Sequence, residues 1–378
     1  MSQSTTPGSA LPQPERDGKR VVVAMSGGVD SSVAAALLVE WGYDVIGMMM
    51  RLWSEPSSGQ HGRLNRCCTP DQMADARRIA QYLNIPFYVV DAQQFFYDSV
   101  VRYFVDQHLE GRTPNPCIEC NRRVRFDYLL ERALALEADY LATGHYARVS
   151  REGAEYQLLK SADDDKDQSY VLHVLGQSEL ARVLFPVGDY TKDQVRDLAR
   201  QLGLPLVAGK SESMDLCFLA DGDYRRFLRQ QAPLPIAPGP IVNRAGEVLG
   251  QHNGLTDFTI GQRKGLGLAV GQPLYVLAKD RRRNALIVGD IDALGQTEMW
   301  VKNVNWISGA SPTTPAQLDV KIRYRANPVP ATLTPVGNDR AEVSFTQPVR
   351  GATSGQGAVF YAGQRCLGGG IICDKGWT

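Results

Sequence analysis

A short glycine- and serine-rich segment carries the clearest chemical signal in the sequence. It reads Ser-Gly-Gly-Val-Asp-Ser-Ser over residues 26–32 and stands between an apolar run and a stretch of helical composition. Glycines let the backbone approach an anion closely, and the N–H groups at the start of a following helix attract negative charge. Asp30 could hold Mg²⁺ against phosphate groups. The spacing matches neither a Walker loop nor a dinucleotide-binding fingerprint. We therefore interpret residues 26–32, called here the phosphate loop, as another kind of phosphate-binding loop rather than a plain turn.

Three of the seven cysteines stand in segments that could make a thiol reactive. Cys117 and Cys120 precede a basic run at residues 122–125, and arginines beside a helix N-terminus are expected to lower the pKa of a thiol. Cys217 stands shortly before an aromatic and basic run at residues 224–227. From the spacing alone, catalysis, half of a zinc site and simple burial as small apolar residues all stay open.

The elements that would position these residues alternate between strand and helix in the first half of the chain. Apolar runs predict strands over residues 20–25, 43–52, 86–90 and 140–143. Composition and capping signals predict helices over residues 33–41, 69–82, 123–136 and 195–202. Such alternation is typical of a parallel α/β sheet with helices on both faces. Because open α/β sheets bind ligands at the carboxyl ends of their strands, Met50 and Gly144 are expected beside the phosphate loop.

The second half of the chain has a different texture, with short alternating apolar runs separated by Gly, Pro and Asn. The runs cover residues 246–248, 274–277, 285–288, 318–322, 341–345 and 357–361. This pattern predicts a small β-barrel or sandwich at the C-terminus. We therefore expect a disordered leader, an α/β domain, a connecting domain and a barrel, at residues 1–18, 19–220, 221–292 and 293–378.

The composition is that of an ordinary globular protein of 378 residues, with 43% hydrophobic and 22% charged side chains. It excludes the disordered, collagen-like and disulfide-scaffold classes. No apolar run suits a membrane span or a signal peptide, so a cytoplasmic location with reduced cysteines is expected. The 41 basic and 41 acidic residues cancel, yet residues 1–220 carry 23 basic and 29 acidic side chains, and residues 221–378 carry 18 and 12. The basic second half predicts a polyanionic partner there.

Six separate motifs resemble those of the tRNA-specific 2-thiouridylases and follow the same order along the chain. They occupy residues 24–31, 111–116, 120–121, 142–148, 166–170 and 261–265. The phosphate loop itself is similar to the signature of the PP-loop ATP pyrophosphatases, a superfamily that splits ATP between its α- and β-phosphates. The resemblance extends from about Arg20 to the C-terminus. It implies a parallel-sheet PP-loop domain of the adenine nucleotide alpha hydrolase-like class, then a small connecting domain and a C-terminal β-barrel.

The resemblance implies an activity as well as a fold. The chain would use ATP and Mg²⁺ to adenylate C2 of the wobble uridine of tRNA and would replace the C2 oxygen with sulfur, forming 2-thiouridine. By the same similarity Cys120 is the nucleophile, and Cys217 carries the sulfur as a persulfide. The positions that match the family's ATP site are Ala24, Met25, Ser26, Gly27, Gly28, Val29, Asp30, Ser31, Met50 and Gly144.

The family also implies the macromolecular partners. These would be the anticodon loop of tRNA and a sulfur-donor protein, either a sulfur carrier or a cysteine desulfurase, with no membrane partner. The positions that match the family's tRNA contacts are Asn115, Pro116, Cys117, His145, Lys166, Asp167, Gln168, Arg323, Tyr324 and Gln356. Arginines beyond residue 220 and those at residues 122–125 would make the affinity for tRNA sensitive to salt.

Three alternatives stay open at the level of sequence. Many family members have Asp where this chain has Cys117, so Cys117, Cys120 and Cys217 could instead ligate three irons of a [4Fe–4S] cluster, which we rank second to the persulfide. A PP-loop synthetase acting on a small molecule would explain the phosphate loop but not the cysteine segments. A catalytically silent RNA-binding protein would have no use for Asp30 or the two proposed catalytic cysteines.

Overall fold

One sheet of five parallel strands organises the first half of the chain. The computed structural model describes residues 18–55, 69–204, 216–232 and 236–376, so all of the predicted leader except Gly18 lies outside the described residues. The strands follow the order β3-β2-β1-β4-β7 and pair in parallel throughout. Their bounds are β1 Arg20–Ala24, β2 Asp44–Arg51, β3 Phe87–Asp91, β4 Tyr140–Thr143 and β7 Val183–Leu184. The central position of β1 places the phosphate loop, which follows it, at the middle of the sheet's carboxyl edge.

Helices cover both faces of this sheet, as the strand and helix alternation predicts. Val21 and Val23 of β1 face one apolar core, whereas Val22 faces the other, because side chains alternate along a strand. The helices are α1 Val29–Glu40, α2 Pro70–Tyr82, α3 at residues 93–109, α4 at residues 116–135, α5 Ser169–Leu172, α6 Gln177–Leu180, α7 Lys192–Gln201 and α8 Tyr224–Gln231. Within the described segments, no helix is both long and apolar enough to cross a membrane.

Three helices begin earlier than the sequence predicts, and all three differences concern the site: α7 begins at Lys192 rather than at residue 195. α1 begins at Val29 rather than at residue 33, because Gly28 of the phosphate loop is its N-cap residue. α4 begins at Pro116 rather than at residue 123, because the Asn115 side chain accepts a hydrogen bond from the Cys117 N–H and proline suits the first helical position. A π-helical stretch in α4 begins at Cys120 and ends at Leu129. Such wide turns often occur at functional sites.

The second half of the chain forms a four-stranded sheet and a closed barrel. The sheet has the order β10-β11-β8-β9, with β8 Gly239–Val242, β9 Val248–His252, β10 Tyr275–Asp280 and β11 Ala285–Gly289. The barrel has the order β12-β15-β14-β13-β16-β17 and closes where β12 pairs with β17. Its strands are β12 Gly295–Trp306, β13 Ala316–Lys321, β14 Val329–Val336, β15 Arg340–Arg350, β16 Gly357–Ala362 and β17 Arg365–Cys373. The predicted barrel or sandwich is therefore a barrel.

A hairpin of the first half, not predicted from the sequence, joins the barrel to the parallel-sheet domain. Its strands are β5 Ala147–Glu152 and β6 Glu155–Lys160, and β6 pairs with β17 at Leu158 and Cys366. Burial raises the pKa of the Cys366 thiol to about 12, so this cysteine is a neutral core residue. Leu158 and Cys366 share one apolar core with Tyr170 and Tyr361. The barrel is therefore packed against the first domain through a continuous core, and this packing fixes where its side chains stand.

Candidate functional site

The phosphate loop is a tight turn that requires glycine at Gly27. This residue has φ +71°, and a Cβ there would stand 2.4 Å from the carbonyl oxygen of Gln72 in the first turn of α2. Within the loop, the Ser26 N–H donates to Ser31 Oγ at 3.1 Å, and the Ser32 hydroxyl donates to the Gly28 carbonyl at 2.7 Å. These bonds hold the loop in shape at the N-terminus of α1, where backbone N–H groups and the helix dipole favour an anion.

Gly144 lies directly against this loop, as the sequence predicts. A Cβ on Gly144 would stand 2.7 Å from the carbonyl carbon of Asp30 and 2.7 Å from the nitrogen of Ser31. Backbone atoms on both sides therefore leave space for glycine and for no larger residue. Met50 stands one residue before the end of β2, the strand next to β1. The structure thus brings the predicted ATP-binding positions to one edge of the sheet.

A buried lysine that the sequence analysis did not single out neutralises Asp30. Lys192 Nζ donates to Asp30 Oδ1 at 2.7 Å and to Oδ2 at 2.9 Å, and the Tyr146 hydroxyl donates to Oδ1 at 2.7 Å. The Lys192 side chain is only 9% exposed. An ammonium group therefore stands beside the carboxylate to which the sequence analysis assigned Mg²⁺. The only sequence signal was the capping box at Thr191, which places Lys192 first in α7.

Cys120 is 5% exposed and has a guanidinium beside its sulfur. Arg125 Nη1 donates to Cys120 Sγ at 3.5 Å and to Asn121 Oδ1 at 3.2 Å. Asn121 in turn donates from Nδ2 to the Cys117 carbonyl at 3.0 Å, so the side chain that orients Arg125 is itself fixed. A positive charge next to a cysteine stabilises the thiolate, which is the nucleophilic form. Arg125 is thus the residue of the predicted basic helix that contacts the predicted nucleophile.

The tertiary structure brings Cys217 and Cys120 to the same apolar cluster, although 97 positions separate them in the sequence. Cys120 is buried in this cluster, called here the cysteine core, and Cys217 is partly buried and packs against it. Cys117, by contrast, is exposed at the start of α4. Across the described part of the chain, no group of three His, Cys, Asp or Glu side chains is arranged to hold a metal ion. The three cysteines are therefore not arranged as ligands of one metal centre in this conformation.

Two of the predicted tRNA-binding residues, Arg323 and Gln356, line a cavity where the two halves of the chain join. This junction cavity has a volume of about 420 Å³ and is lined by Thr113, Thr259, Ile260, Gly261, Gln262, Arg323, Thr353 and Gln356. Gln356 Nε2 donates to the Thr113 carbonyl at 2.8 Å, and Arg323 Nε donates to the Gly351 carbonyl at 3.1 Å. Tyr324 packs edge-on against buried Tyr170, with ring centroids 6.1 Å apart. Asn115 and Pro116 begin α4 two residues beyond Thr113.

The predicted contact loop at Lys166 to Gln168 is held by its own side chains. Asp167 is 4% exposed, and its Oδ1 accepts from the backbone N–H groups of Ser161 and Ser169 at 3.2 Å each. Gln168 Oε1 accepts from the Tyr146 N–H at 2.9 Å. Asp167 and Gln168 therefore shape this loop from the inside, and Lys166 is its partly exposed cation.

His145 is a buried neutral residue in this structure. It is 8% exposed, and its ring lies 5.9 Å from Phe126 and 6.0 Å from Phe185, centroid to centroid. Burial, reinforced by the nearby charge of Arg125, lowers the pKa of His145 to about 3. The distance between Nδ1 and the Thr143 hydroxyl oxygen is 2.6 Å. A contact with tRNA at this position would thus involve an uncharged imidazole, and it stays a prediction.

Sequence comparisons agree with the division seen in the structure. A family profile described as the tRNA methyl transferase HUP domain matches residues 19–221, one described as the tRNA methyl transferase PRC-barrel domain matches residues 225–290, and the aminomethyltransferase β-barrel domain profile matches residues 296–372. A protein of Methanococcus maripaludis described as the U34-tRNA thiolase NcsA with its [4Fe-4S] cluster is 20% identical, at a TM-score of 0.38 over 60% of this chain and 71% of its own. That likeness carries no conclusion about cofactor or mechanism.

Full-length relatives are much more similar. The tRNA-specific 2-thiouridylase MnmA of Chloroflexus aggregans is 49% identical over 353 residues, covering 93% of this chain and 98% of its own length. The protein of the same name from Magnetococcus marinus is 50% identical over 356 residues, covering 94% and 99%. Identity at this level over nearly the whole of both chains goes with a common fold and a common family. The chain therefore belongs to the tRNA-specific 2-thiouridylase family.

Proposed function

We propose that the chain is an ATP-dependent tRNA sulfurtransferase that converts the wobble uridine to 2-thiouridine. The observation that supports this most strongly is the placement of two distant cysteines in one apolar core, next to the strand edge that bears the phosphate loop. A nucleotide site alone would suit any synthetase. A nucleotide site that adjoins a pair of cysteines suits activation of a substrate oxygen followed by its replacement with sulfur.

The parts of the chain divide this work between them. We propose that residues 19–220 bind ATP and perform the chemistry, whereas residues 221–292 and 293–378 bind tRNA. In the first part, residues 24–31 with Met50 and Gly144 hold the nucleotide, and Lys192 stabilises the charge of the leaving pyrophosphate. If Mg²⁺ accompanies ATP, Asp30 is the carboxylate at the loop that would meet it. The ion would supply further neutralisation of the phosphates.

The order of the chemical steps follows because a carbonyl oxygen is a poor leaving group. The C2 oxygen of uridine attacks the α-phosphorus of ATP, and pyrophosphate leaves. The terminal sulfur of a Cys217 persulfide then bonds to C2, and AMP departs with the former C2 oxygen. Cys120 attacks Cys217 Sγ and breaks the sulfur–sulfur bond, so that its two electrons pass to the sulfur on C2. The products are 2-thiouridine and a Cys120–Cys217 disulfide, which an external dithiol must reduce.

The proposed partners follow from the same site. Uridine must leave its stack before C2 is accessible, and an anticodon loop makes this inexpensive. We propose that the unstacked nucleotides lie along Asn115, Pro116 and the junction cavity, with Lys166, Arg323 and Tyr324 around them. A sulfur-donor protein would load Cys217, and a tRNA substrate together with ATP suits activity in the cytoplasm.

Two single substitutions test this proposal. Cys217→Ser and Cys120→Ser should each abolish formation of 2-thiouridine in purified tRNA while leaving ATP binding intact, because neither side chain belongs to the phosphate loop. Nucleoside mass spectrometry gives the product and calorimetry gives the nucleotide affinity. Normal 2-thiouridine formation by either variant would refute the assignment. An anaerobic absorption spectrum of the purified protein separates the persulfide route from the cluster route, because only an iron–sulfur cluster absorbs broadly in the visible range.

A further inference from the structure

One acidic side chain ties the polypeptide that follows Cys217 to the end of strand β2. Glu55 stands four residues after β2 ends at Arg51, and its side chain is only 6% exposed. Its backbone N–H donates to the Phe218 carbonyl at 3.1 Å, and its Oε2 accepts from the Ala220 N–H at 3.1 Å. The segment at residues 216–223, called here the Cys217 segment, is therefore held by both the backbone and the carboxylate of Glu55.

Arg226 in α8 completes this clamp. Its Nη1 and Nη2 donate to the two carboxylate oxygens of Glu55 at 2.5 and 2.7 Å, and its Nε and Nη2 donate to Asp221 at 2.9 and 3.0 Å. Two-point pairing of a guanidinium with a carboxylate fixes direction as well as distance. The hydrogen bond from Arg226 holds the pKa of the Glu55 carboxyl below its usual range. The clamp is thus charged at neutral pH and joins three segments: the end of β2, the Cys217 segment and α8.

Aromatic packing holds the same segment from the other side. Phe218 is 1% exposed, and its ring centroid lies 5.4 Å from that of Phe104 and 5.6 Å from that of Phe227. These rings belong to the cysteine core that also contains Cys120. Because Cys217 and Phe218 share a peptide unit, anchoring Phe218 restricts the position of Cys217. Apolar packing alone tolerates small shifts, whereas the hydrogen bonds of the clamp set one register.

We propose that Glu55 is a positioning residue for sulfur transfer, which sets the place of Cys217 relative to the nucleotide site through the clamp. The inference rests on the proposed function, since it takes Cys217 as the sulfur carrier. Met50, in the predicted ATP site, and Glu55 stand on one short stretch of chain. The clamp therefore fixes the position of the sulfur relative to the edge of the sheet where the uridine is activated. Reacting atoms must be held about 3–3.5 Å apart in the right orientation, and a displacement of about 1 Å can slow a reaction about a hundredfold.

Glu55→Gln tests this role because it keeps the side chain's shape but turns an amide NH₂ toward Arg226. The single-turnover rate of tRNA thiolation with persulfide-loaded enzyme should fall about tenfold to a hundredfold. The affinity for ATP should stay unchanged. Without tRNA or sulfur, the rate of iodoacetamide alkylation should rise at Cys217 relative to Cys117, which lies on a different segment and serves as the internal reference. Asp257→Asn is the matched control, because it disrupts the ion pair between Asp257 and Arg229 of the same helix.

The outcomes separate positioning from general stabilisation. A proportional rise in alkylation at both cysteines, an equal effect of Asp257→Asn, or a normal thiolation rate in Glu55→Gln would each overturn the proposal. The alkylation measurement does not depend on Cys217 being the sulfur carrier. If Cys217→Ser retains thiolation while Glu55→Gln raises Cys217 alkylation selectively, the clamp stands and the proposed function fails. If Cys217→Ser abolishes thiolation and Glu55→Gln changes nothing, the proposed function stands and the clamp fails.

Discussion

The phosphate loop and the junction cavity are built in opposite ways. The loop is one continuous run of residues between β1 and α1, and the hydrogen bonds among its own residues join positions up to five apart. The cavity takes its lining from four separated stretches, at Thr113, at residues 259–262, at Arg323 and at residues 353–356. Local backbone geometry therefore decides the shape of the loop, whereas packing between the parallel-sheet domain, the connecting sheet and the barrel decides the cavity. A substitution in the loop should change ligand affinity strongly and through neighbouring residues. A substitution in the cavity should change ligand affinity less and through distant residues.

The largest effect is expected at Gly144, where the loop tolerates no added atom. In Gly144→Ala the new methyl group would meet the backbone of Asp30 and Ser31 at 2.7 Å, so the loop must shift. We expect a loss of about 3 kcal/mol in ATP binding, or about a hundredfold in Kd. Calorimetric titration with a non-hydrolysable ATP analogue measures this. Gly153→Ala is the control, because a Cβ there meets open space among the described residues and costs only backbone strain. An unchanged Kd in Gly144→Ala would break the comparison.

A smaller loss is expected when the loop keeps its shape but loses its buried cation. Lys192→Met removes the ammonium group that holds both oxygens of Asp30. Because hydrogen bonds between charged groups contribute about 1.5–3 kcal/mol, the Kd for ATP should rise at least tenfold. Lys192→Arg should recover part of the affinity. Arg200→Met, on an exposed position of the same helix, should leave the Kd as it is. Equal affinities for Lys192→Met and the native protein would show that Lys192 serves stability alone.

The junction cavity should respond more weakly and toward a different ligand. Gln356→Ala removes one neutral hydrogen bond between the barrel and Thr113, which corresponds to about 1 kcal/mol or a severalfold rise in the Kd for tRNA. The affinity for ATP should not change. Gln317→Ala, which loses a hydrogen bond to Thr332 on the barrel's exposed side, is the matched control. Filter binding with unmodified tRNA gives the Kd for tRNA of both variants. An equal effect of the two variants would argue against a role for the cavity in binding tRNA.

The smallest functional effect is expected from the charge state of His145, which should change stability rather than binding. Burial lowers the pKa of His145 to about 3, against 6.5 for an ordinary histidine. As the pH falls below 6.5, the unfolded chain therefore takes up a proton that the folded chain does not, and the free energy of unfolding decreases. At pH 5 this contribution is about 2 kcal/mol. Urea unfolding at pH 7 and pH 5 should show a smaller decrease for His145→Gln than for the native protein. Identical decreases would contradict the buried neutral state.

The sequence predicted those parts of the site whose chemistry is local. The strands at the centre of the sheet, the phosphate loop, the N-cap at Thr69 and the capping box at Thr191 depend on neighbouring residues, and all of them occur as predicted. The motifs also identified the family, which the comparisons confirm. The roles of individual residues in binding ATP and tRNA stay predictions, to be settled by the variants above.

The sequence could not predict which side chains pair with Asp30 and Glu55. Lys192 neutralises Asp30 across 162 positions, and Arg226 pairs with Glu55 across 171, whereas neither charge stands out from its neighbours in the sequence. A lysine at the start of a helix is usually solvated, and only the packing of α7 against α1 buries this one. The pairing of β6 with β17 is equally non-local, and it determines where the barrel meets the parallel-sheet domain.

By itself, then, the amino-acid sequence determined the class of each half and the phosphate loop, because these depend on residue type and short-range spacing. It also singled out Cys120 and Cys217, whose roles stay predictions. Only the tertiary structure decided that Cys120 and Cys217 share one core, that Lys192 stands at Asp30 and that Glu55 holds the Cys217 segment. The physical reason is that such contacts join segments far apart along the chain, and they exist only after burial of the apolar cores has brought those segments together.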